Sequence, residues 1–489
     1  MKKILVALLL STLIVPFSMI QAKQYPCVTW DAFRYSGPGL NQIGWLNTKN
    51  SKEIKSSPWS VGCETLDRDY AKIAVYKDYV GELGVKSARL QSGWAKCEKK
   101  KGVYNFAWLD SCVYSLNEQS VKPWMCLCYG NPIYGSDFNL QAKIFSDEKT
   151  MAAWLKYVEK TVTRYKDVIN EWELWNEANN GNKDPEVYAN LFMKTAEVVR
   201  KVQPNAVIIG LSTYRIPLDY TKGFLDVLKA NNKLDLIDYV CYHPYLNNPD
   251  ESYGDVDKLN ILVKSYSPTI KLYQGENGCP STLEWGHALK NYQWTEISQA
   301  KWFMRRMAGD RARDIKTNVF TMIDLKYTNM LQSFGLIRSN LLNEIIYKRP
   351  AFYGVQHMAS IFDDSVNPEG LLDFACNHKE KMTVAGFKKE GSPIVLAWFN
   401  DEIPGDEFKW DLKNIRIKEV NFKDPVYVEM ISGKVYEIDK ADWSNKGKDV
   451  SFTNLPVWDS VIMIAERSQV NFRSDNGQTE LKPDVVDAD

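Results

Sequence analysis

Residues 170–180 read N-E-W-E-L-W-N-E-A-N-N. Glu171 to Leu174 fits a short strand, and the stretch carries two tryptophans before it closes on the pair Asn176-Glu177 and enters a polar loop. An amide next to a carboxylate, where a buried strand comes up for water, suits a surface or structural role when it stands alone, and chemistry only when a second acid is placed to work with it. A second stretch has the same character: residues 272–278, L-Y-Q-G-E-N-G, bring Glu276 to the end of another apolar run. Whether the two acids can work together depends on the fold that joins them.

From about Ser60 to Ile361 strand-like apolar runs alternate with amphipathic helical ones. The strand candidates are Trp59–Cys63, Ser87–Gln91, Lys122–Cys128, Glu171–Leu174, Ala206–Leu211, Tyr239–Tyr242, Lys271–Gln274 and Asn318–Ile323. Apolar stripes at helical spacing lie between them, among them Met151, Trp154, Leu155, Val158 and Val162. A second stripe runs from Val187 to Val202, a third from Ile297 to Met307, and a last apolar helix from Phe352 to Phe362. This order predicts an α/β fold, a (β/α)8 TIM barrel over residues 59–365, whose functional groups sit at the C-terminal ends of the strands. An open doubly wound sheet would show a glycine-rich phosphate turn after an early strand, and none is visible.

After about Asp373 short alternating runs separated by turn residues predict a C-terminal antiparallel β-sandwich over residues 373–467. Residues 23–58 are the least legible, with the potential to lend that sandwich a strand, and residues 468–489 read as a loose polar tail. At the other end, Lys2 and Lys3, the apolar run Ile4 to Ile20 and Gln21-Ala22 have the order of a cleavable secretory signal over residues 1–22. The expectation is an exported protein, periplasmic or secreted, with no integral membrane span once the signal is cleaved.

Basic and acidic residues balance at 61 each, so nothing marks a nucleic-acid or anionic-membrane partner. Nine cysteines cannot all pair, and Cys126, Cys128 and Cys241 lie in apolar runs, as buried thiols do. His243, His287, His357 and His378 are too scattered to propose a metal site, and no cofactor is expected. The oligomeric state is left open.

In a closed barrel the tops of the fourth and seventh strands face each other across the mouth, so Glu177 and Glu276 can flank one bond. Glycoside hydrolysis needs that arrangement: one carboxyl protonates the leaving oxygen while the other meets the oxocarbenium-like centre. A gap of about 5 Å would make Glu276 a nucleophile and retain configuration; about 6.5–9.5 Å would leave room for water and invert it. Arg89 places a cation to keep Glu276 charged, and His243 or Tyr245 can donate to it. Strict strand alternation would aim Asn176 and Glu177 in opposite directions, so a bulge or twist is expected at that strand end.

Trp175-Asn176-Glu177, with Gly275-Glu276-Asn277-Gly278, Arg89 and His243-Pro244-Tyr245, resembles the clan A glycoside hydrolases. The likeness is greatest to family 39, with families 5 and 30 as neighbours. The resemblance implies a carbohydrate substrate, Glu177 as acid/base, Glu276 as nucleophile and a β-linked sugar bond. It also implies that Asn176 contacts the hydroxyl next to the reacting carbon, that Arg89 contacts the nucleophile and that the His-Pro-Tyr run orients it. Many clan members carry a tryptophan at the end of strand eight; residues 321–327 here read T-M-I-D-L-K-Y. Tyr327 is the substitute platform, while Lys326 has Asp324 or an acidic sugar as its partner. Tyr129, Asn131 and Trp285, with Trp94 and Trp294, fall in or near loops at the mouth and are candidates to line sugar subsites. The alternative reading is a carbohydrate-binding barrel without catalysis.

Overall fold

The computed structural model describes residues 35–136, 146–181, 183–377 and 379–474. Eight parallel strands close a barrel in chain order. They are β1 (Trp59–Gly62), β2 (Ser87–Gln91), β3 (Lys122–Leu127), β4 (Glu171–Leu174), β5 (Val207–Tyr214), β6 (Tyr239–His243), β7 (Lys271–Asn277) and β8 (Lys316–Val319). Each expected strand is present, but the eighth lies two residues earlier than its apolar pattern suggests. Phe320 to Ile323 leave the ladder and become buried connection.

Local chemistry explains the surrounding helices. The helix Glu148–Tyr165 starts where the Asp147 carboxylate accepts from Thr150 N, and it buries Met151, Trp154, Val158 and Val162. The helix Pro185–Val202 starts with a proline behind an Asp184 cap, which suits a first turn whose amides have no helical partner. The helix Glu296–Ala312 departs from the amphipathic expectation, since nearly all of it is buried. The C-terminal domain covers its outer face, so its cations find partners there: Lys301 Nζ meets Asp459 at 2.7 Å, and Arg305 Nη1 donates to the Glu402 carbonyl at 2.9 Å.

That domain packs an eight-stranded antiparallel sheet with a four-stranded one. The strand Gln42–Leu46, from the N-terminal segment, pairs antiparallel with Lys434–Glu437. Its other edge pairs with Phe472–Arg473, so the polar tail read from residue 468 still contributes a short edge strand. Residues 1–22 and most of the tail lie outside the described residues.

Inside the barrel, polarity changes along the axis. Trp124, Ile209, Cys241 and Tyr273 form a separate apolar cluster. Toward the C-terminal ends of the strands it gives way to buried Arg89, Glu173 and His243. The Arg89 guanidinium lies 5.5 Å from the Trp124 ring centroid, at the boundary of the two layers.

Candidate active site

β4 ends at Leu174 because the next residue leaves extended geometry: Trp175 has φ 74° and Glu177 φ 50°. A positive φ at a bulky tryptophan is unfavourable, and such backbone clusters where the surrounding structure holds it for function. Neighbouring β5 is irregular at the same level, with Leu211 at φ 74°, Ser212 at φ 43° and a register shift between Gly210 and Thr213. Glu177 N still donates to Ser212 O at 2.8 Å. The twist expected from the alternation argument is therefore real, and it brings Asn176 and Glu177 to the same mouth.

β7 carries its own irregularity, a register shift against β8 between Gln274 and Asn277. Gly275 is required there, because a Cβ would stand 2.2 Å from Cys241 Sγ. Its bare backbone lets β7 approach β6, and Glu276 follows immediately. Arg89 Nη1 donates to Glu276 Oε2 at 2.5 Å, and Tyr245 OH donates to Oε1 at 2.8 Å. Burial alone would raise the Glu276 carboxyl, but the charges of His243 and Arg89 and the Tyr245 hydroxyl hold it below the usual carboxylate range.

His243 stands between the acids. Its Nδ1 lies 3.3 Å from Glu177 Oε1 and 4.0 Å from Glu276 Oε2. Burial favours the neutral ring, yet Glu276, the Cys241 thiol and Glu177 outweigh it and push the imidazole up to about 10. An oxygen of Glu177, a nitrogen of His243 and an oxygen of Glu276 all lie within 4.8 Å of one another. The expectation that the His-Pro-Tyr run serves the nucleophile divides in two: Tyr245 bonds Glu276, whereas His243 bonds Glu177 and touches both fields.

Arg89 is fully buried and holds more than the nucleophile. Its Nε and Nη2 grip Glu173 at 2.8 and 2.7 Å, and Nη2 also donates to Asn176 Oδ1 at 2.7 Å. Asn176 Nδ2 in turn donates to Tyr129 OH at 2.9 Å, which fixes the amide's orientation. Tyr327 reaches the same region: its ring sits 4.5 Å from Tyr70 and 4.3 Å from His287. Burial lifts its hydroxyl to about 12, with Arg68 opposing and the Glu276 charge adding to the rise.

Other candidates go elsewhere. Asn131 is buried with its amide donating to Glu98 O at 2.8 Å and accepting from Ile133 N at 3.1 Å, so it shapes its own loop. Trp94 and Trp294 are buried packing residues, whereas Trp285 stands 65% exposed in the loop after β7. Lys326 is exposed and does not take Asp324, which Arg349 holds at 2.7 Å. His287, which follows Trp285 in the same loop, packs against Tyr327.

Four neighbours escaped the sequence reading: Glu64, Arg68, Tyr70 and Gln91. Arg68 Nη2 donates to Gln91 Oε1 at 2.5 Å, and its guanidinium lies 5.4 Å from the rings of both Tyr70 and Tyr129. Glu64, two residues beyond β1, and Gln91, the last residue of β2, carried the signal of a strand end; Arg68 and Tyr70 carried none.

The family model described as Glycosyl hydrolases family 39 matches residues 88–260, a span that holds Arg89, Asn176, Glu177, His243 and Tyr245 and stops short of Glu276. No curated protein matches the chain. Among solved structures it is similar to a family 39 glycoside hydrolase from Bacteroides cellulosilyticus WH2, with TM-score 0.65 and 18% identity over 86% of this chain and 83% of that one. It is also similar to a monomeric β-xylosidase from Caulobacter crescentus CB15, with TM-score 0.55 and 15% identity over 87% and 97%. A family 30 endoxylanase from Clostridium papyrosolvens C71 gives TM-score 0.56 and 11% identity over 87% and 98%. These structures share the barrel and its attached β-domain. The family match, set on the paired carboxylates, defines the class of this chain as glycoside hydrolase. Within that class it resembles family 39, with family 30 as a neighbour.

Proposed function

We propose that the chain is an exported retaining glycosidase that cleaves a β-linked sugar bond by double displacement. The observation that carries the mechanism is the approach of the Glu177 and Glu276 oxygens to within 4.8 Å. That spacing suits a retaining pair, at about 5–5.5 Å, and leaves too little room for the water of an inverting one. In the first step Glu276 attacks the anomeric carbon while Glu177 gives its proton to the glycosidic oxygen, and the aglycone leaves. A glycosyl ester on Glu276 remains. Glu177 then takes a proton from water as that water attacks the same carbon, and Glu276 is released as the carboxylate. Arg89 and Tyr245 suit this cycle because both stabilise the carboxylate that must form again. Asn176, with one N–H left beyond its Tyr129 bond, is placed for the neighbouring sugar hydroxyl, and Tyr327 for the ring face.

Export is supported by the order of charged, apolar and small residues over 1–22. No helix among the described residues is long and apolar enough to cross a membrane. The test is a 2,4-dinitrophenyl 2-deoxy-2-fluoro-β-glycoside, with the xyloside first in a panel because two of the fold neighbours are named for xylan chemistry. Mass should rise by one fluorosugar, and digestion should place it on Glu276. Turnover without labelling, or a label on another residue, overturns the assignment, and binding without turnover across the panel favours the non-catalytic barrel.

A further inference from the structure

The mechanism above leaves Glu64, a buried acid beside Arg89, unused. Glu64 follows β1, is 1% exposed, and folds its carboxyl back over Gly62, where a Cβ would stand 2.2 Å from Oε2. Its Oε1 receives two long hydrogen bonds, from Arg89 Nη1 at 3.3 Å and Asn318 Nδ2 at 3.4 Å, while Oε2 has no partner in another residue. Arg89 Nη1 is the same nitrogen that grips Glu276. One cation therefore faces three buried or half-buried carboxyls, and two of them share the two N–H bonds of its Nη1, the shorter contact going to Glu276.

We propose that Glu64 is a positioning residue of the reaction: as the neutral acid it leaves Arg89 Nη1 to Glu276, and as the carboxylate it draws that donor away from the nucleophile. The proposal rests on the glycosidase reading of the site. Burial raises the Glu64 carboxyl most, Arg89 opposes and Glu276 adds to the rise, so that it reaches about 7. Cys63, Tyr76, Tyr245 and Tyr327 also feel its charge. Each titrates far above neutrality, burial being the largest cause, so Glu64 is the member of this group that changes charge near pH 7. Ionisation places a like charge beside Glu276 and loosens its anchor. The step that suffers is deglycosylation, where Glu276 leaves as an anion and Arg89 must receive it.

A 2,4-dinitrophenyl β-xyloside makes the first step fast, so kcat on this probe reports deglycosylation. The wild type should lose roughly tenfold in kcat as pH rises through neutrality, the equivalent of one pK unit of lost carboxylate stabilisation. In Glu64→Gln, which keeps the shape and cannot ionise, that loss should vanish. Melting curves supply an arm that needs no turnover. A carboxyl raised in the folded state gives stability that is present below its unfolded value, about 4.3, and lost as pH rises through its folded value. The wild type should therefore lose melting temperature relative to Glu64→Gln between about pH 4.5 and pH 7. Glu64→Met, uncharged and of similar length, repeats both arms if the amide does not fold. An unmoved alkaline fall in the variant, or a melting difference flat in pH, overturns the proposal while the glycosidase reading stands. A wild type that turns over no glycoside removes the functional reading and this proposal with it.

Discussion

The two acids of the mouth sit on opposite kinds of support. Glu276 lies within a regular strand save for one bulge and is fixed by Arg89 at 2.5 Å and Tyr245 at 2.8 Å. Glu177 stands beyond its strand on left-handed backbone, with longer contacts of 3.3 Å to His243 and 3.2 Å from Asn180 Nδ2. A nucleophile has to remain charged and aimed, and short charge-assisted bonds do both. An acid/base has to give up its proton and recover it in each cycle, which tight donors to its carboxylate would impede. The asymmetry of the supports favours the proposed roles more than the spacing does, because spacing alone is symmetric.

The sharpest way to break this comparison is to remove the charge from one side. Glu276→Gln keeps the volume and loses the nucleophile, so kcat should fall by roughly 10⁴-fold or more on every substrate, activated or not. Glu177→Ala should behave differently. Turnover of unactivated glycosides should fall by about 10³-fold, within the range of general acid catalysis, while formation of the glycosyl-enzyme from a dinitrophenyl glycoside should be nearly spared. Azide should then rescue Glu177→Ala with a β-glycosyl azide as product. Equal losses on good and poor leaving groups would show that Glu177 is not the acid.

A smaller effect comes from the cation between the two acids. His243 is raised to about 10 in the fold from an ordinary value of 6.5. A raised histidine gives stability that is complete below its unfolded value and is lost as pH rises through its folded one. Melting temperature should fall between about pH 7 and pH 10, a loss on the order of 2–4 kcal/mol, and His243→Gln should flatten that fall. A wild-type curve level across this range would mean that the ring is neutral in the fold.

Much of this architecture is legible in the chain because parallel barrel strands are short apolar runs of a single kind. β1 to β7 come out within three residues of their patterns, and both acids are found at strand tips. The eighth strand slides because Phe320, Met322 and Ile323 are as apolar as strand residues but are buried by connection packing. Arg68 and Tyr70 escaped for a different reason. They lie beyond Thr65, a residue of positive φ, and Tyr70 beyond Asp69 as well, and no periodicity announces where such a turn points its side chains. Asn131 shows the converse error, since a polar residue in a mouth loop reads as a ligand when its amide in fact closes a turn. The buried helix Glu296–Ala312 misleads because two of its cations, Lys301 and Arg305, find partners in a domain that follows it in sequence.

The finest test of the comparison is a single hydroxyl. Tyr245→Phe removes one donor from Glu276 and leaves the ring, so packing against Phe334, 6.4 Å away, is kept. A hydrogen bond to a charged group contributes about 1.5–3 kcal/mol, and Arg89 remains to hold the carboxylate, so the lower end applies and kcat should drop about tenfold. The pH profile should carry the more specific sign. Tyr245 is among the groups that hold Glu276 below the usual carboxylate range, so its loss should move the acid limb of kcat/KM to higher pH. Loss of one donor to Glu177, in Asn180→Ala, should leave that limb where it is. If both substitutions move the acid limb alike, the two supports are equivalent, and the assignment of nucleophile and acid by their surroundings fails.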